Sequence, residues 1–276
     1  MSLWSRLERR INDLADGLVL DEHRDQVSQA RSLVAAGQTQ PAIELLQALL
    51  VVKPDHGQAL TVLGSAYLDA LDPAQRNPGE AVKAFERALA VRPGDPTALL
   101  GLGLAQVALA QPDTAIATLA RAVHEAAGDR AVLANAYRGL GIAWRRKGEL
   151  DKAVRELRKA VAEDSGDRDA RAALGEALVA DHAQSEEARR HLERAVADSK
   201  AATTGATDAP PIAYFALGQL ALREQAPALA TNLFDQARAL ATRDTTPLGR
   251  TLLADILLGQ GAAALALRDP MRAHTC

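Results

Sequence analysis

The chain is poor in the residues that staple or fill most domains. Its single cysteine, Cys276, is the last residue, so no internal disulfide forms and a reducing, cytoplasmic setting is expected. Aromatic residues make up only 3% of 276 positions although 48% are hydrophobic, with alanine carrying much of that share. A core so short of rings has to be closed by helices that approach one another tightly. Neither sign of charge dominates. A formal net charge of −3 gives no basic field for tracking phosphates and argues against a nucleic-acid partner. Long apolar runs are missing too: the longest apolar stretch, residues 98–110, falls well short of the ~20 residues that span a bilayer, so no transmembrane segment is expected. Charges also interrupt the first twenty residues, which removes the apolar run of a signal peptide.

Catalytic signatures are equally sparse. The six histidines never fall at a spacing of three or four, and none has a cysteine beside it, so no metal site is expected. Gly-x-Gly pairs occur at Gly101/Gly103, Gly139/Gly141 and Gly259/Gly261, but none is completed by a third glycine or by Lys-Ser/Thr. Their shared position in a repeat reads as helix packing. With no nucleophile elbow and no zinc-binding helix motif, the expectation is a chain without catalytic residues or cofactor.

What recurs is a pattern. Leu-Gly pairs stand at Leu63-Gly64, Leu102-Gly103, Leu140-Gly141, Leu174-Gly175 and Leu217-Gly218. Each is followed by two alanines seven apart: Ala81/Ala88, Ala115/Ala122, Ala153/Ala160, Ala188/Ala195 and Ala230/Ala237. A period of about 34 to 43 residues marks a solenoid of helix pairs. The glycine lets the first helix approach its neighbour, a large residue three later fills the layer, and the alanines nest the second helix against it.

The second copy carries the fullest motif, Leu63-Gly64-x-x-Tyr67, Ala81, Phe85, Ala88 and a closing Pro93, and resembles the tetratricopeptide repeat. That resemblance covers nearly everything from residue 23 onward. It implies an all-α, right-handed superhelical solenoid of antiparallel helix pairs, about six and a half repeats behind an N-terminal amphipathic helix. The expected organisation is residues 1–22 for that helix, built on Trp4, Leu7, Ile11, Leu14 and Leu18; 23–198 for repeats one to five; 199–211 for a linker-like loop; and 212–276 for repeat six and an incomplete repeat seven. In the seventh, Gly259 to Leu267 aligns with Gly101 to Leu109, and Pro270 and Ala273 open a second helix. Longer loops are expected at residues 71–79, with two prolines and a glycine, and at 128–134.

In this family the first helix of each pair lines a concave groove. Carried onto this sequence, groove positions are Val27, Arg31 and Val34; Thr61, Ser65 and Leu68; Leu100, Leu104 and Val107; Arg138, Ile142 and Arg145; Ala172, Glu176 and Val179; and Phe215, Gln219 and Leu222. Leu100, Leu104, Val107 and Ile142 are expected to anchor an apolar partner, with Arg138 and Arg145 orienting it. The bland alternative is a solvated basic face, Arg138, Arg145 and Arg146, paired with Glu149 and nearby carboxylates. The family's carboxylate clamp uses Lys, Asn and Arg side chains at positions that correspond here to Val27, Arg31, Val62, Thr97 and Gly101, and only Arg31 could serve.

The expected function is a non-enzymatic protein-interaction scaffold or adaptor that binds a protein or peptide segment in the groove. Alternatives are a regulatory or sensory input domain of a larger protein and a bacterial envelope or pilus assembly factor. Self-association through the N-terminal helix or an uncapped C-terminal face is the remaining route. The N-terminal helix has two readings, a cap on the first repeat or a plug in the groove, with membrane-surface binding disfavoured by Glu8, Asp13 and Asp16.

Overall fold

Leu-Gly pairs and flanking alanines are spaced for helices, and helices are what form. The computed structural model describes residues 24–69, 76–201, 209–242 and 246–268. The amphipathic helix expected at 1–22 and the helix expected after Asp269 lie outside the described residues. Among those described there are thirteen α-helices, one 3-10 turn at His182–Gln184, and no strand. They are α1 (24–35), α2 (Thr39–Val52), α3 (Gly57–Asp69), α4 (Pro78–Val91), α5 (Pro96–Ala108), α6 (Pro112–Glu125), α7 (Arg130–Arg146), α8 (Leu150–Glu163), α9 (Arg168–Val179), α10 (Ser185–Ala201), α11 (Pro211–Arg223), α12 (Pro227–Ala241) and α13 (Pro247–Arg268).

Local chemistry sets the boundaries. Prolines open α4, α5, α6, α11, α12 and α13, where the missing N–H costs nothing. Asp95 accepts hydrogen bonds from the Thr97 and Ala98 backbone N–H groups, and Asp129 from those of Ala131 and Val132, capping α5 and α7. The two loops read from sequence are shorter than expected. Pro78 and Gly79 already belong to α4, with Asn77 accepting from the Glu80 N–H at 3.1 Å, and α7 begins at Arg130. A left-handed residue stands at the turn between paired helices: Gly37 and Gly148, but also Ala110 (φ 57°) and Gln225 (φ 59°).

The glycines do what the repeat required, with a different partner. A methyl built on Gly64 would lie 2.7 Å from the Phe85 ring, on Gly103 2.5 Å from Leu119, on Gly141 2.3 Å from Leu157, on Gly175 2.5 Å from Leu192, and on Gly218 2.6 Å from Phe234. The residue that fills the layer is therefore the one between the two alanines of the second helix, not the one three after the glycine. All five of these large residues are fully buried, and the alanines on either side leave room for them to sit directly on the glycine.

Residues divide into two compact units, 1–93 and 94–276. Of the segment 199–211, read from sequence as a linker, residues 199–201 belong to α10 and Pro211 opens α11, which packs on α10, while 202–208 lie outside the described residues. In the first unit α3 packs on α2 and α4, and Gln47 Nε2 donates to Tyr67 Oη at 3.0 Å. In the second, each pair packs internally and the first helices follow one another as α5, α7, α9, α11 and α13. α13 also touches α5, so this inner row closes on itself.

α13 departs from the sequence expectation. Its residues Pro247–Leu267 are long and apolar enough to cross a membrane by length and composition, a run longer than 98–110 that Arg250 and Asp255 obscure. Ile256 and Ala263 on one side are fully buried against Phe215, Phe234 and Ala237. Leu257, Leu258 and Leu265 on the other side are exposed.

Two expectations follow. Gly141→Ala forces a clash at Leu157 and destabilises by about 1–3 kcal/mol in urea denaturation, and combining it with Leu157→Ala gives less than the sum of the single losses. Ala110→Gly relieves a left-handed residue and raises stability by about 1 kcal/mol; unchanged or lower stability contradicts the strain.

Candidate functional site

Closure of the inner row leaves a cavity of about 570 Å³ among α7, α9, α11 and α13. Val179, Phe215, Leu222, Leu258 and Ala262 form apolar walls, and Phe215 is held from behind by the tilted Phe234 ring, 5.9 Å away between centroids. Polar groups stand among them: Arg145 from α7, Glu176 from α9, Gln219 and Arg223 from α11, and Asp255 from α13. An apolar pocket with a few convergent polar groups suits a bound segment with one apolar anchor and a charge beside it.

Electrostatics centre on Glu176. Its side chain is only 9% exposed and accepts an ion pair from Arg145 Nε at 2.8 Å. Burial pushes the Glu176 carboxyl up to about 7; Arg145 and Arg146 pull it back, and Asp255 adds to the rise. The half-buried Arg146 is lowered from its ordinary value by its own burial and then by the like charge of Arg145. Its Nε–H is buried without a hydrogen-bond acceptor among the described residues. Glu176 and Asp255 therefore face Arg145 and Arg146 across a weakly solvated space, where each charge counts for more than in water.

Sequence-derived positions distribute unevenly. Arg145, Glu176, Phe215 and Gln219, together with Val179 and Leu222, converge on this cavity. Arg138 does not line it: its Nε pairs with Asp167 at 3.1 Å and its Nη2 donates to Asn135 at 2.7 Å. Within this basic face Arg138 pairs with Asp167 and Arg145 with Glu176, two nearby carboxylates, whereas Glu149 pairs with Lys152 instead of with an arginine. The apolar stripe is not bare. Val107 is 7% exposed, Leu100, Leu104 and Ile142 are half-buried, and a methyl on Gly139 would lie 3.0 Å from a Leu104 methyl. Leu104 approaches Gly139 of α7 and Ile142 packs against the buried cluster of the following repeats, so both are partly engaged within the fold. In the first unit Val27 is core at 3% exposure, Val34 and Ser65 are half-buried and Arg31 is exposed.

Reasoning from sequence missed the α13 residues Asp255, Leu258 and Ala262, as well as Arg223. A signal was present: aligning Gly259 with Gly101 puts Leu258 and Ala262 where Leu100 and Leu104 stand. No group of three or more His, Cys, Asp or Glu side chains able to hold a metal occurs among the described residues.

Family models described as tetratricopeptide repeat match residues 27–73 and 130–168 in one case and 74–137 in the other, an unbroken run from 27 to 168. No curated protein matches the chain. Among solved structures it is similar to PilW, titled a widely conserved type IV pilus biogenesis factor, with a TM-score of 0.62 at 15% identity over 84% of this chain and 98% of that one. PilF of Pseudomonas aeruginosa gives a TM-score of 0.60 at 15% identity over 85% and 98%. MamA of Desulfovibrio magneticus RS-1 gives 0.51 at 23% identity over 67% and 98%. At these identities the likeness is one of fold. Repeat motif, helix pairing and family match agree, and the chain belongs to the tetratricopeptide repeat family, whose repeats mediate protein–protein interaction.

Proposed function

We propose that the chain is a non-enzymatic interaction scaffold that holds a segment of a partner protein in the cavity between α7, α9, α11 and α13. The observation that carries this reading is the cavity itself, with apolar walls and the Arg145, Glu176, Arg223 and Asp255 charges placed among them. An apolar side chain of the partner sits against Val179, Phe215 and Leu222. A carboxylate beside it engages Arg145 and Arg223, as charge-assisted hydrogen bonds favour. Glu176 competes for Arg145, so its protonation frees the guanidinium for the partner. The similarity to PilW and PilF supports an envelope or pilus assembly role no further than fold, and no residue of the cavity favours it.

A bulky side chain tests occupancy. With a photo-crosslinking residue at Gln219 a partner is captured, and capture is lost when Leu222→Trp narrows the cavity without changing the helical circular dichroism. Capture that persists with the narrowed cavity, or that arises equally from a crosslinker at Glu193 on the exposed side of α10, contradicts the reading.

The pH dependence has a definite sign. A carboxyl raised in the fold stabilises the protein while protonated, so its contribution is complete below its ordinary value of 4.5 and is lost as pH rises through about 7. Between pH 8 and pH 5 the wild type should gain on the order of 1–3 kcal/mol over Glu176→Gln in urea denaturation. A difference independent of pH removes Glu176 as the titrating group.

A further inference from the structure

In five repeats the glycine of the first helix is covered by a leucine or phenylalanine from the second. α13 has the same glycines and lacks that cover on one of them. Gly259 is met by Phe234 of the preceding repeat, with ring atoms 2.8 Å from where a methyl would stand. Gly261, the counterpart of Gly103, meets nothing within 4 Å among the described residues. Around it Leu257 is 49% exposed, Leu258 75% and Leu265 70%, whereas Leu99, the counterpart of Leu257, is fully buried. The helix is apolar on both sides, one side in the core and the opposite side bare.

The bare side carries its own knob. Ala254, Leu258 and Gly261 have the spacing of Ala115, Leu119 and Ala122, the small-large-small pattern by which every second helix covers its glycine. We propose that this face pairs with the α13 of a second copy of the chain, antiparallel about a twofold axis. With Leu258 of one copy on Gly261 of the other, Leu257 falls opposite Ala262 and Leu265 opposite Ala254. Each large side chain meets a small one, and the twofold repeats every pair.

A bilayer is the competing occupant of an apolar helix of this length. Insertion would drag Ile256 and Ala263 out of the core and carry Asp255 away from the cavity it lines. Pairing with a second copy leaves all three in place. The dimer face borders the cavity and shares Leu258 and Ala262 with its walls, so partner capture at Gln219 is read in the dissociated Gly261→Leu variant, where the cavity reading and the dimer can each fail alone.

Full-length protein is measured by sedimentation equilibrium across the micromolar range, with circular dichroism and the thermal midpoint as controls of fold. The wild type should approach twice the 29.2 kDa chain mass and dissociate on dilution. Gly261→Leu should leave the fold unchanged, since its side chain enters open space, and weaken association at least about tenfold by setting leucine against leucine. Leu258→Ala should weaken it similarly by emptying the contact. Combined, the two substitutions exchange knob and socket and should restore the dimer. A wild type of single-chain mass at every concentration, a dimer indifferent to Gly261→Leu, or a double variant no better than the single ones overturns the proposal. So does co-sedimentation of single-chain wild type with neutral or anionic phospholipid vesicles that Gly261→Leu leaves intact.

Discussion

Contact between one bulky side chain and one glycine governs this molecule. Wherever a second helix brings Phe85, Leu119, Leu157, Leu192 or Phe234 down onto the glycine of its partner, the two backbones come as near as a side chain lying on bare backbone permits. The flanking alanines follow from that distance, because any larger residue there would lift the knob out of its seat. So does the scarcity of aromatic residues: layers this thin are filled by one large group each, and the remaining positions must be small. A composition with 48% hydrophobic but only 3% aromatic residues is the sequence-level trace of that packing.

Glycines of the Gly-x-Gly repeats look both ways. Gly141 receives the knob of its own pair, while Gly139 takes Leu119 from the repeat before it, which couples each pair to the last. In the second unit this coupling carries the inner helices around until α13 reaches α5. α13 supplies the last wall of the cavity and brings Asp255 to Glu176, a carboxylate already buried beside two arginines. Fold and candidate site therefore meet at Glu176, whose carboxyl is raised mainly by its burial, with Asp255 of α13 adding to the rise.

How much of this the sequence disclosed depends on the range of the interaction. Helix pairs and the glycine positions are local or separated by a fixed spacing, and the repeat made them plain. Helical periodicity also placed Arg145, Glu176, Phe215 and Gln219 on one inner surface, and they do meet. The same periodicity put Val107 and Leu104 there, yet these pack into neighbouring helices, because one turn of helix separates a lining position from an interhelical one. The contribution of α13 was hidden for a different reason. Closure is set by the summed rotation of five repeats, a quantity no single repeat contains, and the charges at Arg250 and Asp255 masked the apolar length of the helix. Which helix supplies the knob also escaped, since both candidates lie at plausible spacings.

Closure of the inner row is the claim on which cavity and electrostatics both rest. It is tested most directly by a spin-label distance between α5 and α13, measured by double electron–electron resonance in a Cys276→Ser background diluted with unlabelled chain so that only intramolecular pairs report. The account predicts one short, narrow distance distribution, as expected for two helices in contact. A long or broad distribution would mean that α13 stands away from α5 and that the cavity among α7, α9, α11 and α13 is an open groove.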